Sequence, residues 1–319
     1  MKRPASPRTF NFSTLALAGV LVCALLAGCA SPQLMSLEQH WPPDLPAHFE
    51  LKEIAFFPQE EHECGPAALA AVLQSAGVAA TPEQLLDQVY LPGREGSLQV
   101  EMQAASRRHG LPAYALQPAI AAVLREVAAG NPVLVLQNLS LPIYPVWHYA
   151  VVIGYDRERN RVLLNSGRTE HLEMSLFTFE RTWARSGYWA LVALPPQRLP
   201  ATAEPEPFAQ SLAALERVDA NAARVAYATA LKKWPTQRTL LLGAGNTAYA
   251  LGEKGAAQTA YQRAVAVHPD FADAWNNLAQ VLLDQGERAA ALEAIDRAVA
   301  LGGARLPAYL ELKRNIQQD

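Results

Sequence analysis

An α+β domain over residues 51–196, followed by an all-α repeat domain over residues 207–319, is the fold class that the sequence predicts. Two observations carry it. Residues 51–196 alternate helix-like segments with short, nearly continuous apolar runs such as Ala150–Ile153, the mark of buried strands. From Pro207 on the chain is Ala-rich, and residue types return at an interval of 34: Tyr227, Ala230 and Pro235 reappear as Tyr261, Ala264 and Pro269, Gly252 as Gly286, and Ala257 and Ala264 as Ala291 and Ala298. A length of 319 residues suits about two domains, and 50% hydrophobic residues supply two cores. The net charge of -3 gives no electrostatic case for nucleic acid.

The N-terminus comes first in chain order. Lys2, Arg3 and Arg8 precede an apolar run from Leu15 to Leu26, which ends in Leu26-Ala27-Gly28-Cys29. The run is shorter than the ~20 residues that a spanning helix needs, and its basic–apolar–small layout is that of a secretory signal. The closing string resembles the bacterial lipobox. That resemblance implies a lipoprotein signal over 1–29, a lipid on Cys29, and a chain tethered in the cell envelope. Ala30, rather than Asp, after the cysteine implies the outer membrane, facing the periplasm. Residues 30–50 hold Pro32, Pro42, Pro43 and Pro46 among polar residues and are expected to form a stalk. Of the three cysteines, Cys23 leaves with the signal and Cys29 takes lipid, so Cys64 is the sole mature thiol and no internal disulfide is expected.

The sharpest chemistry surrounds that thiol, in Gln59-Glu60-Glu61-His62-Glu63-Cys64-Gly65-Pro66-Ala67-Ala68-Leu69. A helix is expected over Ala67–Ala76, closed by Gly77, with Pro66 in its first turn. Cys64 then sits at a helix N-terminus, where the dipole and free N–H groups favour thiolate. The Gln59 amide and the Cys64 N–H can form an oxyanion hole. A base has to come from elsewhere among seven histidines. His148 stands out because it opens the apolar strand Trp147–Tyr155. Asp156–Asn160 reads as a turn, and Arg161–Asn165 as the returning strand, which brings Asn165 back to about the level of His148 to hold the imidazole. Asp156 is the competitor for that role. Trp147 and Tyr144 are expected to pack in the core, with the lining of a substrate cleft as the alternative.

These residues also carry a family resemblance. The string Gln-x4-Cys-Gly-Pro-Ala-x-Leu, followed about 85 residues later by His-Tyr-x-Val-Val-x-Gly-Tyr-Asp, resembles the C39 cysteine peptidases, some of which cut leader peptides after a double glycine during bacteriocin export. The resemblance covers about residues 51–196. It implies a papain-like fold, with Cys64 as nucleophile, His148 as general base and Gln59 at the oxyanion, and with no metal or cofactor. The family's third residue is usually Asp followed by Pro, where this chain has Asn165-Ser166; Glu63 stands where the family tends to have Asp. No Gly-x4-Gly-Lys-Ser/Thr phosphate loop occurs, so ATP-driven export and double-glycine cleavage are not expected to transfer.

Residues 197–206 read as a linker. The 34-residue pattern beyond it resembles tetratricopeptide repeats, which implies antiparallel helix pairs, roughly three within 204–303, a capping helix over 304–318, and a groove for a peptide or protein partner. The function expected is a membrane-tethered cysteine peptidase acting on an exported or envelope peptide or protein. Two alternatives stay open: a related amidase or transpeptidase, and a non-catalytic peptide-binding scaffold.

Overall fold

The computed structural model describes residues 31–58 and 63–318; Cys23, Cys29 and Gln59 lie outside them. A seven-stranded antiparallel sheet forms the centre of the N-terminal domain: β1 (His48–Glu50), β4 (Ala113–Ala115), β5 (Val133–Asn138), β6 (Trp147–Asp156), β7 (Arg161–Ser166), β8 (Thr169–Ser175) and β9 (Ala190–Ala193). Its order is β4-β9-β5-β6-β7-β8, with β1 paired to the far end of β6, His48 opposite Asp156. A separate two-stranded ribbon joins β2 (Tyr90–Leu91) to β3 (Gly96–Ser97).

Alternation along the strands divides the core in two. Tyr149, Val151 and Ile153 of β6 meet α2 (Cys64–Ser75), α3 (Pro82–Val89) and α4 (Gln99–Arg108), through Leu69, Leu73, Leu85 and Met102. Ala150 and Val152 face the other way, toward α5 (Ile120–Ala128) and α6 (Leu176–Ala184), through Val123, Phe179 and Trp183. Covered on both faces, β6 reads as an unbroken apolar run.

The described part of the expected stalk over 30–50 does not hang free. From Ser31 on it is docked. Helix α1 (Pro32–Gln39) buries Leu34 and Leu37, and its first amides, Gln33 N–H and Leu34 N–H, donate to the two carboxylate oxygens of Glu180 at 3.0 and 2.8 Å. Gln33 also donates to the Pro118 carbonyl and accepts from Ile120 N–H. Trp41 leans on Tyr155, with Arg157 over its ring. Proline-rich composition suggested an extended tether; burial of Leu34, Leu37 and Leu45 against the sheet's helical face outweighs it.

The expected linker is fixed as well. Glu126, wholly buried in α5, accepts from Ala201 N–H, Thr202 N–H, the Thr202 hydroxyl and Asn131 Nδ2. Arg198 donates to Asn131 Oδ1.

Beyond it the helices α7 (Pro205–Glu216), α8 (Ala220–Lys233), α9 (Arg238–Ala250), α10 (Lys254–Val267), α11 (Ala272–Asp284) and α12 (Arg288–Leu301) stack as three antiparallel pairs, capped by α13 (Leu306–Gln318). Tyr227 and Tyr261 seat on α9 where Gly243 and Gly245 leave room; a Cβ at either glycine would overlap the ring. The first pair belongs to the sheet domain's core: Phe208 meets Tyr114 edge-on at 5.9 Å, and Leu212, Leu215, Tyr227 and Leu240 continue the same apolar cluster. Among the described residues no helix is long and apolar enough to cross a membrane.

Candidate active site

Cys64 is the first residue of α2, and Glu63 before it provides no side-chain cap, so the first-turn amides stay available. Gly65 lets this turn close on β3, since a Cβ there would overlap the Ser97 side chain. The thiol lies against the backbone amides of Tyr149, Gly65 and Cys64. Burial pushes its pKa above the ordinary 9.0, and these amides pull it down by less. The expected thiolate is therefore not the resting form, because desolvation outweighs the helix terminus. His148, second residue of β6, is shifted the other way: burial lowers its pKa below 6.5. A neutral thiol and a neutral imidazole line one cleft of about 1380 Å³, together with Ser97, Val146, Trp147 and Arg168. Among the described residues, no hydrogen bond joins Cys64 to His148.

The partner of the imidazole is Ser166. Its Oγ lies 2.9 Å from His148 Nε2. Asn165, expected in that place, sits opposite Val151 and accepts from His171 N–H through Oδ1, while its Nδ2 is buried without a partner. The register explains the exchange. Pairing between β6 and β7 slips at Val152/Gly154, where β6 carries one extra residue. A one-residue slip turns a side chain to the opposite face, so Ser166 shares the face of His148 and Asn165 does not. Asp156 is no candidate: it ends β6 eight residues away, roughly 26 Å along the strand, beside Arg159 and Arg161.

Residues 51–191 match the Peptidase_C39 like family model. Residues 242–305 match a tetratricopeptide repeat model. The chain joins a C39-like domain to tetratricopeptide repeats. Among solved structures it is similar to a putative C39-like peptidase from Bacillus anthracis (18% identity, 47% of this chain and 98% of that one, TM-score 0.40). It is also similar to a double glycine motif protease from an AMS/PCAT transporter in complex with its leader peptide (20%, 46% and 93%, 0.35). A third similar structure is the TPR2B domain of yeast Sti1 in a pHsp70 complex (20%, 34% and 96%, 0.33). No curated protein matches the chain.

In the C39-like domain, sequence reasoning misses two side chains, one beside His148 and one beside the start of α2. Ser166 follows the asparagine that the hairpin spacing points to, and no local motif sets it apart. Ser97 has its Oγ buried without a partner beside Gly65, and no local motif marks it. Trp147 and Tyr144, expected in the core, are 51% and 75% exposed, and Trp147 lines the cleft. Among the described residues no group of three or more His, Cys, Asp or Glu is arranged to hold a metal ion.

Proposed function

We propose that the protein is a cysteine peptidase tethered in the bacterial envelope by lipid on Cys29, with the repeats as a protein-interaction module. One observation carries the enzymatic part: Cys64 at the amino end of α2 and a Ser166-bonded His148 share one cleft of a C39-like domain. The chemistry begins from the neutral pair. Cys64 Sγ attacks the peptide carbonyl carbon while His148 takes the thiol proton, so that a C–S bond forms and the carbonyl electrons move to oxygen. The Cys64 N–H, with Gln59 assigned from its motif position, receives the oxyanion. The C–N bond then breaks, and His148 returns the proton to the departing amine. Water attacks the thioester, releasing the acid and restoring the thiol. Ser166 keeps the ring turned to the cleft.

A second reading, a peptide-binding scaffold without catalysis, is favoured by the missing bond between thiol and imidazole. One experiment separates the two. Peptides released from envelopes of cells carrying the native chain are compared with those from Cys64→Ala and His148→Ala cells. Native-specific cleavage products, lost in both variants, support the peptidase. Identical peptide profiles with retained partner binding leave the scaffold. For the tether, Cys29→Ala is expected to abolish incorporation of labelled fatty acid.

A further inference from the structure

The loop between β5 and β6 is apolar and yet exposed. Leu139-Ser140-Leu141-Pro142-Ile143-Tyr144-Pro145-Val146-Trp147 carries no charge. Leu139, Leu141, Ile143, Tyr144, Val146 and Trp147 are 45–76% exposed, with Ile143 highest. Exposed apolar clusters of this kind mark interaction surfaces. The loop is well built: Asn138 Oδ1 accepts from Ser140 N–H and Val146 N–H, both at 3.0 Å, and Leu139 N–H donates to the Val146 carbonyl. A turn closed by Tyr144 N–H on the Leu141 carbonyl holds its tip outward.

Only the inner limb, Pro145 to Trp147, lines the cleft. The tip, Leu141 to Tyr144, points elsewhere, so the cleft's substrate does not explain it. Two further features fix the occupant. Along α6, Phe177 is 44% exposed with Arg181 over its ring at 5.3 Å, and Arg185 after the helix donates to the Asn138 carbonyl at the loop's base. An aromatic ring and two guanidinium groups thus lead to an uncharged apolar tip, while the one acid of that helix, Glu180, is buried under α1. Aromatic and apolar groups flanked by cations match the boundary between headgroups and acyl chains. The second feature is chain length. Cys29 precedes the buried Ser31 by two residues, a reach of about 7 Å. Gln33 is clamped to Glu180, and Glu180 stands about 8 Å along α6 from Arg185.

We propose that the 139–147 loop, with Arg185 at its base and Phe177 and Arg181 along α6, inserts into the surface of the bilayer that receives the Cys29 lipid. The inference rests on the lipid tether proposed above and adds a second attachment point. The domain then lies against the membrane with its cleft opening at the headgroup plane, which restricts substrates to peptides at that surface.

The test uses the full chain, extracted from membranes and reconstituted into vesicles containing anionic lipid, with and without acyl-chain bromination. Ile143→Trp places an emitter at the tip. Its added emission is expected to be lost in brominated vesicles and to recover when Arg181→Glu and Leu141→Asp are combined with it. Unchanged emission while the protein stays on the vesicles overturns loop insertion and leaves the lipid tether standing. Protection of the tip tryptophan from an aqueous quencher by added peptide, without bromolipid quenching, also overturns it, in favour of a protein occupant. Quenching retained without fatty-acid label on Cys29 supports insertion and removes the tether alone. An unaltered alkylation rate at Cys64 verifies that the variants are folded.

Discussion

At Cys64 two effects of opposite sign meet: amides at a helix start that favour a negative sulfur, and burial that opposes it. Burial prevails, and the same burial keeps His148 from holding a proton. The sign of the pH dependence follows. Alkylation of Cys64 in the free protein is expected to climb past pH 9.0, the ordinary thiol value, rather than level off below neutrality, as a rate-against-pH series will read. Turnover is expected to decline on the acid side below 6.5, where His148 begins to take a proton and no longer serves as base. Stability changes in the same sense. The unfolded chain protonates His148 first as pH falls, so that part of the stability is lost below 6.5. Replacing Ser166 removes one hydrogen bond to the ring, about 1 kcal/mol, and Ser166→Ala is expected to lower kcat about fivefold with KM little changed; Asn165→Ala should leave the imidazole's partner in place. The Cys-Gly-Pro string was legible because it encodes a local event, a helix start packed closely on β3. The serine was not, because a one-residue bulge in β6, unmarked in the sequence, decides which residue of Asn165-Ser166 faces His148.

Two elements show how far local composition reaches. The segment around α1 and the 197–206 stretch both look like spacers, rich in proline and polar residues, and both are fastened by a buried carboxylate lying far away in sequence. Glu180 receives the first amides of α1, and Glu126 receives those of Ala201 and Thr202. Nothing within either segment announces its partner, so no window on the sequence reveals the docking. The repeats are the contrary case: each helix pair packs on its neighbours, and the 34-residue return of small and aromatic residues writes the architecture directly. Glu126→Ala strands three amide donors and the Thr202 hydroxyl at once. It is expected to cost about 3 kcal/mol and to open residues 197–206 to protease, measured by denaturant midpoint and by mapping the cut. Glu180→Ala should likewise expose the chain between α1 and β1 to cleavage, while the thiol's alkylation rate stays near native.

Across the whole molecule, the sheet domain and the first helix pair share one apolar cluster. Tyr114 of β4 is wedged between the helical stack and the sheet: it meets Phe208 edge-on, donates to the Thr202 carbonyl, and its hydroxyl accepts from Glu204 N–H. The first helix pair is therefore held in a fixed frame relative to the sheet. Heating is expected to give one cooperative calorimetric transition for the sheet domain with α7 and α8. Phe208→Ala, at a cost of about 3–5 kcal/mol, should divide it into two.

The clamp on α1 also sets a schedule. Gln33 and Glu180 are 147 residues apart, and β1 waits for β6 as its pairing partner. The segment from α1 to β1 is thus among the last to find its place, since closing so long a loop has to precede any reward from the bonds it makes. Until α6 exists, the amides of Gln33 and Leu34 have no carboxylate to meet. The segment from Ser31 to Gln39 stays undocked during that interval, and the finished sheet domain is what fastens it.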